Sequence, residues 1–524
     1  LKYLYPIIKA DYLQRSRSYA FLITIAVTIY AAWSFVPPPE ANYTTLTMFG
    51  YKGVYNSAWV GHVSALMSTL VLSLCGFFLV IGGIKKDIDT EVGLIIATTP
   101  ISNFGYLLSK LFSNFLILLT ISGLAFLVGI LMFFVRSSGY PFHIGDFILP
   151  YLFMVLPAMF LVSGMAILAE VFLGRKSILQ YLIFFVLFGA LMSNVNSSSK
   201  NPILPVTDAL GIRTVFNSVK EKVNTEFKEN IDKVSLGYVI HKNRTFKTFV
   251  WEGVSWDGLF LLSRALWISL MIGLVYLSSF FFHRFDFKQA VKKEKKKTQE
   301  DFLAKTAAPY SGFNKSLLPD ISPAYGIIPF IRTELLLMVR KDSKWLWALN
   351  ISIWVATLFV PLSFAYSFLL PILLFLQVSR ISELATKEKT NRVHYFTYAS
   401  YKPLQRMLPA QIIAAFLLFV ALALPVIARL LMASNLMAVL QVMNGSMLIV
   451  LLSVCLGILT GSKKLFEILF FALTYIIFQG IPQAHYLGAI AFENYGGMMV
   501  IILMINILLL IGSFAVRNYQ TRNL

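Results

Sequence analysis

Apolar and polar residues follow one another along this chain in long blocks, not in the one-in-two rhythm of strands. Twelve apolar runs stand out, near 19–36, 63–82, 107–135, 148–169, 178–194, 259–282, 345–361, 363–379, 407–432, 437–460, 465–481 and 497–516. Most approach the roughly 20 residues that a helix needs to cross a bilayer core. In lipid, each backbone N–H and C=O must be paired within its own segment, and these runs lack the alternation of a barrel strand. The pattern therefore predicts an all-α integral membrane protein with twelve transmembrane helices.

The polar blocks divide the chain further. Residues 1–18 mix apolar and basic side chains, as expected of a helix lying in the membrane interface. The same grammar returns at 327–345, where Arg332-Thr333-Glu334-Leu335-Leu336 matches Lys9-Ala10-Asp11-Tyr12-Leu13 in charge and position. The chain reads as a tandem duplication, each copy holding an interfacial elbow helix, two spans, a charged segment and four more spans. Residues 1–284 form the first half and 323–524 the second. Between them, 285–322 is a basic linker carrying Lys-Lys-Glu-Lys-Lys-Lys at 292–297, expected to be a solvated tether or a contact to anionic lipid. Parallel repeats of this kind are common in transporters, where the pathway runs between the halves.

Two connections are expected outside. Pro37-Pro38-Pro39 stops the first span, and the loop to His62 carries Tyr43, Tyr51, Tyr55 and Trp59, residues suited to a membrane–water interface. The segment 195–257 contains Leu210, Ile212, Val215, Phe216, Val219, Val223 and Phe227 at spacings of one to four. That spacing predicts an amphipathic helix within 206–231, resting on the outer leaflet or capping the pathway; a solvated loop with some helix is the alternative. Asn42, Asn196 and Asn243 begin glycosylation-type tripeptides in these outer segments, a pattern that also arises by chance.

Composition fits this picture. Hydrophobic residues make up 57% of the 524 and charged ones 13%, about half the usual charged share of a soluble domain. The net charge of +20 lies mostly in alternate connections, so it reads as a topological signal that keeps both termini cytoplasmic, and no nucleic-acid partner is expected. The run at 19–36 lacks a small-residue cleavage site and reads as a first span, not a removable leader. Cys75 and Cys455 both fall inside spans and imply no disulfide framework.

The most informative polar block is 83–110. It carries Lys86-Asp87, Glu91, Gly93, Thr99-Pro100-Ile101 and a closing Lys110. This order resembles the cytoplasmic coupling segment of ABC-2 type exporter permeases, and Tyr55 to Trp59 is similar to the lead-in of the second span in some of them. The resemblance implies a bacterial inner-membrane permease subunit, two halves fused in one chain, that exports an apolar or amphipathic substrate. It implies partner ATPase subunits in two copies, which bind the ATP and Mg. Lys86, Asp87 and Glu91 would then meet the ATPase, and Thr99-Pro100 would fix the turn that carries its motion. The corresponding second segment, 380–406, keeps Glu383, Glu388 and a late Pro403 but lacks the Thr-Pro pair and the Gly. One standard and one degenerate contact are therefore expected.

The chain has no phosphate-binding loop. Gly174-Arg175-Lys176-Ser177 is the nearest imitation and lacks the preceding Gly. Its six histidines show no metal-ligand spacing, so neither a metal nor a cofactor is expected in this chain, nor an enzymatic activity. Charge is nearly absent from the middles of the spans; Glu170, Arg264, Arg429 and Glu467 fall near their ends, where snorkelling or cytosolic contact would explain them. This weighs against an ion-coupled secondary carrier, the second function class. A membrane-embedded transferase is the third, with Asp208, Asp232, Asp257 and Glu252 as its candidate acids.

Overall fold

The computed structural model describes residues 4–41, 43–48, 50–90, 92–137, 139–174, 176–193, 207–228, 234–240, 246–282, 326–341, 344–391, 393–478, 485–488 and 495–522. The linker 285–322, the three asparagines of the glycosylation-type tripeptides and Glu91 lie outside them. About 79% of the described residues are helical. Among them seven helices are long and apolar enough to cross a membrane, and an eighth span results if Leu4–Ser16 and Phe21–Phe35, bent by 73° at their junction, are counted together.

Twelve spans are not reached among the described residues, for a simple reason of length. Four of the apolar runs form shorter helices: Ser177–Ser193, Lys344–Phe359, Lys464–Phe478 and the broken stretch Leu362–Phe375. At 1.5 Å per residue, 15 to 17 residues cover only about 22–26 Å, against a hydrocarbon core of about 30 Å.

Helix starts follow from short polar residues placed directly before apolar runs. The side chains of Ser18, Asn56, Ser102 and Asn435 accept from the backbone N–H three residues on, at 3.2, 2.8, 3.0 and 3.1 Å. Each satisfies one donor that the first turn leaves unpaired.

In the first half the helices are α1 (Leu4–Ser16), α2 (Tyr19–Phe35), α3 (Ser57–Val80), α4 (Gly83–Asp89), α5 (Val92–Ala97), α6 (Asn103–Arg136), α7 (Gly145–Pro150), α8 (Leu156–Leu173), α9 (Ser177–Ser193), α10 (Ile212–Phe227) and α11 (Gly258–Phe281). A π-helical turn at Tyr151–Val155 joins α7 to α8 directly after Pro150, which cannot donate to the ladder. The second half has α12 (Ile328–Arg340), α13 (Lys344–Phe359), α14 (Leu362–Phe364), α15 (Leu370–Phe375), α16 (Val378–Ile381), α17 (Lys387–Thr390), α18 (His394–Tyr398), α19 (Pro403–Met432), α20 (Leu436–Thr460), α21 (Lys464–Phe478) and α22 (Tyr495–Arg522).

The packing order is parallel in the two. The elbow α1, with α2 and α8, surrounds α6, just as α12, α13 and α20 surround α19; α11 lies on α8 as α22 lies on α20. The halves meet where α21 crosses α3. Aromatic rings fill that seam: Phe77 stacks on Phe184 at 3.9 Å, while Phe471 lies 4.2 Å from Phe78 and 5.4 Å from Phe185.

At the end of the bundle where α3 begins, the two connections expected outside complete each other. Strand β1 (Tyr43–Thr47) pairs antiparallel with β3 (Ser235–Ile240), and β2 (Tyr51–Gly53) runs parallel to β4 (Lys247–Phe249). The loop expected after Pro39 is therefore partly strand, and the fold is not purely helical. The predicted amphipathic helix is α10, shorter than 206–231. Its Ile212, Val215, Phe216, Val219 and Val223 are buried against protein. Asp208 fixes its start by accepting from the backbone of Gly211 and Thr214, both at 2.9 Å, and Arg264 holds the carbonyls of Asp208 and Ala209.

Candidate functional site

At the opposite end, where α3 finishes, the two charged segments lie among the elbow helices and the bases of the spans. The first is built around a helix start. The chain leaves α3 through Gly82, whose φ of 92° favours glycine. The Glu170 carboxylate at the end of α8 then accepts four consecutive backbone N–H groups, from Gly82 (2.8 Å), Gly83 (3.1 Å), Ile84 (2.8 Å) and Lys85 (3.1 Å). All four are the orphan donors of a helix start, and a negative charge is favoured there by the helix dipole. Glu170 is thus not a snorkelling residue but the cap that fixes α4.

Asp87, on the inner side of α4, is 7% exposed. It binds the Lys110 ammonium of α6 at 2.6 Å and accepts from the Tyr106 hydroxyl at 2.7 Å. Lys110 also binds Asp11 of the elbow α1 at 2.7 Å. One buried cation therefore ties elbow, segment and span together. Arg15 extends the network by donating to Asn114 (2.8 Å) and to the Val80 carbonyl (3.2 Å).

Lys86 points outward and is exposed. Beyond the undescribed Glu91, α5 shows an apolar surface, with Val92 42% and Ile95 69% exposed. Thr98 and Thr99 close α5 by donating their hydroxyls to the carbonyls of Ile95 (2.8 Å) and Ile96 (2.6 Å). Pro100 follows, exposed, before Ser102 caps α6. The Thr-Thr-Pro sequence is thus a helix stop with a physical cause: hydroxyls satisfy the last carbonyls and proline cannot continue the ladder.

The second segment uses other residues in the same places. Glu334 of the elbow α12 pairs with Lys387 of the segment, and Glu388 accepts from Gln411 of α19 at 2.6 Å. Gln411 occupies the place on α19 that Lys110 has on α6. Glu388 is buried, and burial pushes its carboxyl above the usual range. Glu383 sits between Lys341 (2.6 Å) and Lys463 (2.7 Å). Burial alone would raise its carboxyl, but the two ammonium groups bring it down to about 2.

The two segments are linked across the seam. Lys464, at the start of α21, donates to the carbonyls of Leu79 and Ile81 at the end of α3. A cation on exposed carbonyls is a favourable helix C-terminus, although desolvation lowers this ammonium to about 7. Glu467 accepts from Tyr181 of α9 at 2.7 Å and from Ser382 of the second segment at 3.2 Å.

Of the seven predicted site residues, the structure brings Asp87, Glu383 and Glu388 into the braced layer and leaves Lys86 and Pro100 at the surface, with Thr99 half-buried between; Glu91 lies outside the described residues. Sequence reasoning did not assign Glu170, Lys464, Glu467, Tyr106 or Asp11 to the site. The available signal was a single charge at the edge of an apolar run, as at Glu170 and Glu467. Among the described residues, no group of three or more His, Cys, Asp or Glu side chains is arranged to hold a metal.

No protein-family model, curated protein or solved structure matches this chain.

Proposed function

We propose that the chain is the membrane permease of an ATP-binding cassette exporter, with ATP and Mg bound by separate ATPase subunits that push on residues 83–100. The observation that supports this most directly is the contrast within that segment. Val92 and Ile95 are exposed on a short helix next to α4, whose own base is held by Glu170 and Lys110. An exposed apolar patch on a rigid mount suits a protein partner, and a push on it reaches α3, α6 and α8 through short polar contacts. In this reading Lys86 and Glu91 meet the ATPase, while Asp87 transmits force inside the protein. The twelve apolar runs cross the bilayer as two six-helix halves, the termini are cytoplasmic, and an apolar or amphipathic substrate leaves the cytoplasm along the aromatic seam.

The buried Asp11–Lys110–Asp87 group favours a second reading, an ion-coupled carrier, because such groups serve as proton relays. It lies at one end of the bundle, whereas a coupling site belongs near mid-membrane, so the permease reading stands first.

The test is copurification of the tagged chain with its native neighbours in mild detergent, then ATP hydrolysis on wild type and Ile95→Asp. An ATPase subunit that is recovered with wild type and lost, or at least tenfold less stimulated, with Ile95→Asp supports the proposal. A chain that purifies alone, is indifferent to ATP and takes up substrate under a proton gradient supports the carrier.

A further inference from the structure

The second segment offers a different surface from the first. Between Lys389 and Arg406 the sequence holds Lys389, Arg392, Lys402 and Arg406 and no acidic residue. With Gln411 matched to Lys110, the corresponding stretch of the first segment is 88–105, which holds Asp89 and Glu91 and no Lys or Arg. Over the same stretch the second segment exposes rings, with Phe396 82% exposed and Tyr395 and Tyr401 also open. Aromatic rings beside cations are the side chains that settle at the headgroup level of a bilayer.

Position agrees with composition. The Arg406 guanidinium lies 4.7 Å from the Phe330 ring, which joins this surface to the elbow helix α12. On α12 Ile328, Leu336, Leu337 and Val339 are exposed together with Arg332 and Arg340, and Trp345 is exposed at the start of α13, a mixture of apolar and basic side chains on a helix that runs before a span. The segment's acids are turned away: Glu334 pairs with Lys387, Glu383 with Lys341 and Lys463, and Glu388 is buried. What remains outward is aromatic and positive.

We infer that the surface formed by Tyr395, Phe396, Tyr401, Lys402 and Arg406 binds the membrane surface, its rings among the headgroups and its cations on anionic phospholipid. The second segment is then held by lipid, not by an ATPase. This inference does not rest on the permease reading, since it needs only a membrane around the chain.

The experiment uses the full chain in a Cys75→Ala, Cys455→Ala background, spin-labelled at Phe396→Cys or, separately, at Ile95→Cys. The chain is placed in nanodiscs of phosphatidylcholine alone or mixed with phosphatidylglycerol, and collision rates with oxygen and with a water-soluble nickel chelate are compared. At position 396, oxygen should dominate in the anionic discs and the chelate should gain in the neutral ones. Lys402→Gln and Arg406→Gln should each lower the oxygen-to-chelate ratio roughly fivefold, the effect of one cation near an anionic surface. Chelate dominance at 396 in both discs overturns the inference, as does lipid exposure that phosphatidylglycerol and the two cations leave unchanged. Protection of 396 that requires an added ATPase subunit makes it a protein-docking face and also overturns it. Position 95 reports separately: lipid exposure there counts against ATPase docking at α5 and leaves the result at 396 intact.

Discussion

The two charged segments occupy equivalent places and solve one problem differently. Each must tie a short surface stretch to an elbow helix and to the base of a long span. In the first, Lys110 supplies a buried positive charge from the span and holds Asp11 and Asp87 together. In the second, the cation has moved to the segment as Lys387, and the neutral Gln411 stands on the span. The first arrangement is a single buried knot; the second is two separate contacts, one of them half-exposed. A buried ion group is costly to break, because the remaining charge has no water to turn to, whereas the loss of one amide donor is eased where the buried carboxyl left behind, as at Glu388, is already raised and can take up a proton. The first segment is therefore the stiffer of the two, which is what a force-bearing contact needs.

Substitutions at the two span positions test this difference most strongly. Lys110→Ala removes the direct ion-pair partner of the buried Asp87 and the half-buried Asp11 and should destabilise the chain by about 3–5 kcal/mol. Gln411→Ala should cost about 1 kcal/mol, both read as detergent-solubilised thermal unfolding. Replacing Lys110 by Met together with Asp11→Asn and Asp87→Asn should restore most of the loss, because the charges leave together. Equal effects at Lys110 and Gln411 would remove the asymmetry.

A somewhat smaller effect is expected at Glu170, whose carboxylate has no counterpart in the second segment among the described residues. Glu170→Gln keeps the volume but can accept at only one side-chain oxygen, so part of the cap on Gly82 to Lys85 is lost. A loss of about 2 kcal/mol is expected, together with faster amide exchange at 83–89 and unchanged exchange at 378–390. Uniform exchange changes in both segments would show that the cap is not local.

The smallest effects concern pH in the second segment. The Glu383 carboxyl is depressed to about 2 from its ordinary 4.5, so its contribution is present above pH 4.5 and lost as pH falls through that window. Because the pair is partly open to solvent, Glu383→Gln should cost only about 1 kcal/mol at neutral pH, and nothing further as pH drops. Glu388 has the opposite sign: its carboxyl is raised, so wild type loses stability as pH rises through the raised value. Glu388→Gln should be neutral to slightly stabilising at pH 7. A melting temperature that responds to both changes in the same direction would contradict this assignment.

Several parts of this arrangement were legible in the sequence because they depend on neighbours along the chain. The amphipathic α10 follows from local spacing, and the turn at Thr99-Pro100 that ends α5 follows from the residues that make it. The pairing of Asp11 with Glu334 as matching elbow positions was also legible, since charge and spacing repeat. The inward turn of Asp87 was not. Its neighbours Lys86 and Asp89 are outward, and steps of one and two residues around a helix turn a side chain by about 100° and 200°, enough to take it off the face that meets the protein. The partner that buries it, Lys110, is 23 positions further on, past a second helix and a turn.

Length, apolar content and the missing strand alternation by themselves determined that this chain is a helical membrane protein, because lipid admits only helices and closed barrels and each run can be judged alone. Tertiary structure alone decided which charges are used. Glu170 and Glu467 look like edge charges until the helix start or the tyrosine that needs them is brought alongside, from 85 or more residues away. The strands of the outer connections, β1 with β3 and β2 with β4, belong to the same class: each is too short to persist alone and exists only because the other connection supplies its hydrogen-bond partners.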